Sequence, residues 1–183
     1  MPTRSLTETM TALESVLDDF DQIARLAHAK YRTYAPDILL ELDARAQAAC
    51  TYAHMSAEAD RRFIGRSGVR DLDIRGLRLW LFEDANAVVR LKKMDEDGLT
   101  KNYPTEQAKD FDRGYDIPGL PMPPVRLTAG YLLDSPTRTQ FVRTQVARPI
   151  GRKRTLWCAA IVPIEDRSAE GRAWVDVTRQ ASL

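Results

Sequence analysis

The chain has 183 residues, 44% of them hydrophobic and 29% charged, with a formal net charge of +1. That length suits one well-buried core, so a single domain over residues 1–183 is expected, and the balance excludes wholesale disorder and strong nonspecific attraction of the whole chain to nucleic acid or membrane. No apolar run nears the roughly 20 residues that cross a bilayer, and the N-terminus carries no apolar signal-peptide segment; with only Cys50 and Cys158, too few for a disulfide scaffold, a cytoplasmic protein with no membrane contact is expected.

Ser5 followed by Glu8 is a capping-box signature, and the apolar positions Leu6, Met10, Leu13, Leu17, Phe20, Ala24, Ala27 and Tyr31 continue it as one long amphipathic helix. A stripe of this length can pair with a second chain as a homodimer or pack on the next helix, and the latter is simpler. Thr33-Tyr34-Ala35-Pro36 breaks the pattern, and a second helix is expected from Pro36 or Asp37 toward Gly65, with Ile38, Leu39, Leu42, Ala46, Ala49, Cys50, Ala53 and Phe63 as its apolar stripe. Residues 5–65 thus read as an antiparallel helical hairpin.

Val69 to Arg75 reads as a charged connector. Leu77–Phe82 and Ala87–Met94 alternate with period two around the turn residues Asp84, Ala85 and Asn86, which predicts a β-hairpin with one oily and one partly cationic side. A short helix over Thr105–Phe111, capped by Thr105, is expected next. The loop at 112–125 is rich in proline, with Pro118, Pro121, Pro123 and Pro124, and cannot pair as a central strand. Arg126–Leu133, Thr139–Arg148 and Leu156–Val162 are further strands with short connections, hence antiparallel neighbours, and 163–183 is a polar tail or supplies an edge strand at Ala173–Val177. The expected fold class is α+β: an N-terminal helical hairpin packed on a twisted antiparallel sheet of about five strands over residues 76–162.

Basic residues concentrate toward the C-terminal half. Arg90 and Lys92, Arg126 and Thr128, and Arg143 and Gln145 are each two apart, so each pair projects to one side of its strand. With matched faces these strands form a cationic platform bordered by Trp80 or Tyr131, suited to phosphates or an acidic peptide, and Arg148 to Arg152 around Gly151 suggests a phosphate-contacting loop. The bland reading is the ordinary solvent face of an antiparallel sheet. The binding candidates are therefore Arg90, Lys92, Arg126, Arg143, Arg148 and Arg152, the partner a protein or a nucleic acid, and no cofactor is expected.

Two enzymatic alternatives are weaker. Cys50, His54 and Glu58 line one side of the second helix at spacing four, as metal ligands or a thiol–imidazole pair would, but no second ligand pair accompanies them. Asp71, Asp73, Glu83 and Asp84 with Lys92 or Lys93 suggest a metal-dependent nuclease, yet Arg90 and Leu91 stand where that chemistry needs an acid.

The strings ACTYAHMSAEADRRF (Ala49–Phe63), LWLFEDANAVVRLKKMDEDGLTKNYPT (Leu79–Thr105), DIPGLPMPPVRLTAGYLLD (Asp116–Asp134) and FVRTQVARPIGR (Phe141–Arg152) resemble a family of small bacterial proteins. Its genes are similar to ones beside regulators that carry a helix-turn-helix and an ImmA-type metallopeptidase. The resemblance implies a bacterial cytosol and a regulatory or stress-related setting, and it brings no catalytic residue with it.

Overall fold

The computed structural model describes residues 4–100, 105–120 and 124–179. Helix α1 (Leu6–Ala12) starts on the expected capping box: the Ser5 hydroxyl accepts from the Glu8 N–H while the Glu8 carboxylate accepts from the Ser5 N–H at 2.8 Å. The long first helix is divided, however. Leu13 leaves helical angles (φ −96°, ψ 1°) as it is driven fully into the core, and α2 (Glu14–Arg32) starts from it. Of its expected stripe Leu17, Phe20, Ala24, Ala27 and Tyr31 are buried within the chain, joined by Val16 and Ile23, which the stripe does not include.

The second helix is divided too, into α3 (Pro36–Glu41) and α4 (Ala44–Phe63). Asp43 turns its carboxylate onto the N–H groups of Arg45 and Ala46, at 2.9 and 2.7 Å, and so opens a new helix. The apolar stripe also differs from expectation. Ala49 and Ala53 face outward, while Thr51, Met55, Ala59 and Phe63 are buried. Alanines offer little burial energy, so the larger Met55 and Phe63 decide the rotation of the helix. Asp19 on α2 receives Arg62 at 3.0 Å and also Arg66, which pins the hairpin.

Seven strands follow: β1 (Val69–Ile74), β2 (Leu77–Phe82), β3 (Ala87–Met94), then α5 (Glu106–Arg113), and β4 (Val125–Leu133), β5 (Phe141–Pro149), β6 (Thr155–Ile161) and β7 (Trp174–Asp176). They lie side by side in chain order. The architecture is α+β with helices first, but among the described residues the sheet has seven strands rather than about five, and it is mixed. The stretch expected to be a charged connector is β1, an edge strand whose charged residues tolerate exposure, and Trp174–Asp176 adds the opposite edge. β3 and β4 run parallel, with Arg90 beside Thr128 and Lys92 beside Gly130. Parallel neighbours need a long crossover. Residues 95–124 supply it and carry α5 across the sheet; the part of the proline-rich loop at 121–123, Met122 included, lies outside the described residues.

The alternation expected in the first hairpin holds, but neither side is an open cationic surface. Trp80 and Phe82, with Val89, Leu91, Leu127, Ala129, Tyr131, Val146 and Ile161, lie under the helices in one continuous core. Phe20, Phe63 and Phe82 meet edge to face there at centroid separations of 5.3–5.9 Å. Leu77, Leu79, Leu81 and Val88 line the other face and are covered by Phe111 of α5 with Ile117 and Leu120. No helix among the described residues is long and apolar enough to cross a membrane.

A candidate anion-binding recess beneath α5

Thr105 caps α5 as expected, its hydroxyl accepting from the Ala108 N–H, and Gly114 closes the helix at φ 74°. This amphipathic helix buries Phe111 and Asp112 against the second face of the sheet. Asp112 meets Arg90, which is only 3% exposed. The arginine is fixed on every side: Nε donates to the Thr128 hydroxyl at 2.9 Å, Nη2 donates to Asp112, and the guanidinium lies 5.0 Å from the Phe111 ring centroid. Burial dominates both partners, lowering the pKa of Arg90 and raising that of Asp112. The Asp112 carbonyl in turn accepts from the Gly151 N–H at 2.7 Å, which ties the β5–β6 turn to α5.

Between these elements is a recess of about 240 Å³ lined by Arg90, Lys92, Thr100, Thr105, Asp112 and Arg152, together with backbone at Gly76, Gly98 and Gly151. Glycine at 98 is required: at φ 77°, a Cβ there would lie 2.6 Å from that of Ala147. Lys92 is half-buried, and its ammonium sits 4.7 Å from the Tyr52 ring centroid. Burial first and Arg90 second depress its pKa, and no carboxylate among the described residues pairs with it. Arg152 is exposed at the rim, close enough to lower the pKa of Asp112. Two guanidinium groups, those of Arg90 and Arg152, thus act on Asp112, while the Lys92 side chain lines the recess with its ammonium toward Tyr52.

The six basic residues expected to act together separate into three groups. Arg90, Lys92 and Arg152 converge on the recess. Arg126 shares the face but is half-buried, donating to the Asp110 carbonyl at 2.9 Å near the C-terminal end of α5. Arg143 shares it also, further along the sheet, where Nε donates to Gln145 at 3.0 Å. Arg148 pairs with Trp157, which lies in the helix-side core, and reaches the Arg4 carbonyl at 3.0 Å on that opposite side. The expected open platform is corrected accordingly: α5 roofs it, and Trp80 and Tyr131 lie on the other face. Asp112, the acid at its centre, carries no signal in the sequence beyond its place in a short amphipathic helix.

The catalytic alternatives do not assemble. Glu58 is engaged by Arg61, the His54 ring meets the Tyr34 hydroxyl at 2.9 Å, and Cys50 is half-buried on the same helix. Asp71 pairs with Arg78 at 2.9 Å, Asp73 accepts from the Gly76 N–H, and Glu83 faces Arg70. Among the described residues no three His, Cys, Asp or Glu side chains gather in a metal-binding arrangement. No family model matches the chain, and no curated protein and no solved structure is significantly similar to it.

Proposed function

We propose that the protein is a non-enzymatic binding protein of the bacterial cytosol that engages a protein or nucleic-acid partner through one anionic group, a phosphate or carboxylate, seated in the recess beneath α5. The observation that carries this reading is the surplus of positive charge there: Arg90 is held by Asp112, while Lys92 and Arg152 have no acid of their own in the lining. A half-buried ammonium beside a second cation gains most from an anion, because the low local dielectric strengthens the attraction. The enclosed volume of about 240 Å³ admits a phosphate or a carboxylate group but not a nucleobase stack, so recognition is of the charged group rather than of sequence.

The test is fluorescence anisotropy of labelled single-stranded RNA, DNA and an acidic phosphopeptide at two salt concentrations, with the native protein and the Lys92→Glu/Arg152→Glu variant. Binding that weakens with salt and is lost in the variant is expected for at least one probe class. Equal binding by native and variant protein, or binding of none of the probes, removes the reading.

A further inference from the structure

At the end of the molecule away from the α2–α4 pinning arginines, the helical layer stands off the sheet and leaves a cavity of about 440 Å³. Its body is apolar, built from Tyr31, Pro36, Leu39, Leu42, Ala48 and Leu133. Its charged lining is one-sided among the described residues: Arg32, Lys93 and Arg138 contribute and no acidic residue does, beside the neutral polar groups of His28, Gln47, Thr51 and Thr139. The α3 segment lies along the mouth without burying a single residue, and Leu40 there is 87% exposed, an apolar side chain with nothing to cover it.

The rim offers a hydrogen-bonding edge. His28 Nε2 lies 3.1 Å from the Thr139 carbonyl, which can only accept, so Nε2 carries the proton and Nδ1 is left as an acceptor in the neutral ring. The turn that presents Arg138 and Thr139 is rigid. Asp134 accepts from the N–H groups of Thr137, Thr139 and Gln140 at 2.7–2.9 Å, and Arg138 holds φ 56° within it. The cationic rim is therefore built into the fold rather than carried on a loose loop.

We infer that this cavity is a binding site for a small amphipathic monocarboxylate, an aliphatic or aryl chain ending in a carboxylate, with the chain among Leu39, Leu42 and Leu133 and the carboxylate against Arg32 and Arg138. Apolar enclosure with a few convergent polar groups is the usual make-up of a small-molecule site. At about 30 Å³ per water-sized group, the volume suits a ligand of roughly a dozen heavy atoms. A chain of that length also gives the exposed Leu40 a partner. The site is separate from the recess beneath α5 and stands independently of the function proposed for it.

Isothermal titration of the full chain with sodium decanoate and with 1-decanol tests this. Decanoate binds and decanol binds at least about tenfold more weakly, because only the acid meets the guanidinium groups. Arg32→Glu/Arg138→Glu, two exposed positions that leave the core intact, weakens decanoate by about tenfold or more. Ala48→Trp fills the cavity and abolishes binding, with circular dichroism confirming that the chain is folded. Lys92→Glu/Arg152→Glu leaves decanoate affinity unchanged. Absence of decanoate binding, equal affinity for the alcohol, or undiminished binding in either cavity variant overturns the inference, as does loss of binding in the Lys92→Glu/Arg152→Glu protein.

Discussion

The two faces of the sheet are covered in different ways. Under the helices, Phe20, Phe63, Trp80, Phe82, Val89, Leu127 and Val146 belong to one continuous apolar cluster, with the buried Asp21–Thr144 hydrogen bond as a polar contact on that face. Under the crossover, two apolar clusters, one around Leu79 and Phe111 and one around Ala147 and Cys158, are separated by a polar band that holds Arg90, Asp112, Thr128 and Gln145. Both faces exclude water from most of their area, so burial alone does not distinguish them. What does is the type of group buried, since an apolar layer is held by area and a polar band only by completed hydrogen bonds. The first face is built for stability, and the second keeps charge in place beside a recess.

Substitutions sharpen this contrast. The largest effect is expected from Phe63→Ala, which leaves a hole among Phe20, Trp80 and Phe82 and costs about 3–5 kcal/mol in urea unfolding. Next comes the polar band. Arg90→Met or Asp112→Leu alone strands a buried charge and costs about 3 kcal/mol, whereas the double variant recovers most of that loss. A double variant no more stable than either single would break the comparison, because the pair would then be stabilising in its own right. Chemical modification gives a third test. Burial raises the Cys158 thiol to about 12, so native protein reacts with iodoacetamide at half-buried Cys50 alone, and Cys158 reacts only after denaturation.

The smallest effect concerns pH and belongs to the helical layer. Burial lowers the pKa of His28 and of His54 below the ordinary 6.5. Below that value the unfolded chain takes up protons that the folded chain refuses, so stability falls as pH drops from about 6.5 and levels off below the folded values. His28→Gln removes part of that slope in denaturation curves measured between pH 7 and 5, and an unchanged slope would show that this ring contributes nothing to it.

Much of the architecture is legible in the sequence. The Ser5–Glu8 box, the Thr105 cap, the α2 stripe and the period-two alternation of Leu77–Phe82 each rest on contacts between near neighbours, and local patterns report these directly. Errors arise where a distant partner decides. VRDLDI looks like a connector because edge strands carry charge; ARAQAACTYA offers too little size contrast to orient α4; and the pairing of β3 with β4 depends on where a thirty-residue crossover returns. Period two rightly places Arg90 and Lys92 on one face. It is silent on α5 settling above them, and so Asp112 and the enclosure of the recess escape it.

The hydrogen bond from the Thr144 hydroxyl to Asp21, at 2.6 Å, joins residues 123 positions apart. Asp21 is 3% exposed in the finished fold; Arg25, at 2.7 Å, meets one of its carboxylate oxygens early, but the partner of the other is made much later. At about 5–20 residues per second, a ribosome needs roughly 6–25 s to travel from one to the other. During that interval the hairpin of α2 and α4 exists without the strands that complete it, and Phe20, Phe63 and Met55 stay uncovered. The nascent chain therefore passes through a period in which the apolar face of its helices is already synthesised while the strands that cover it are not.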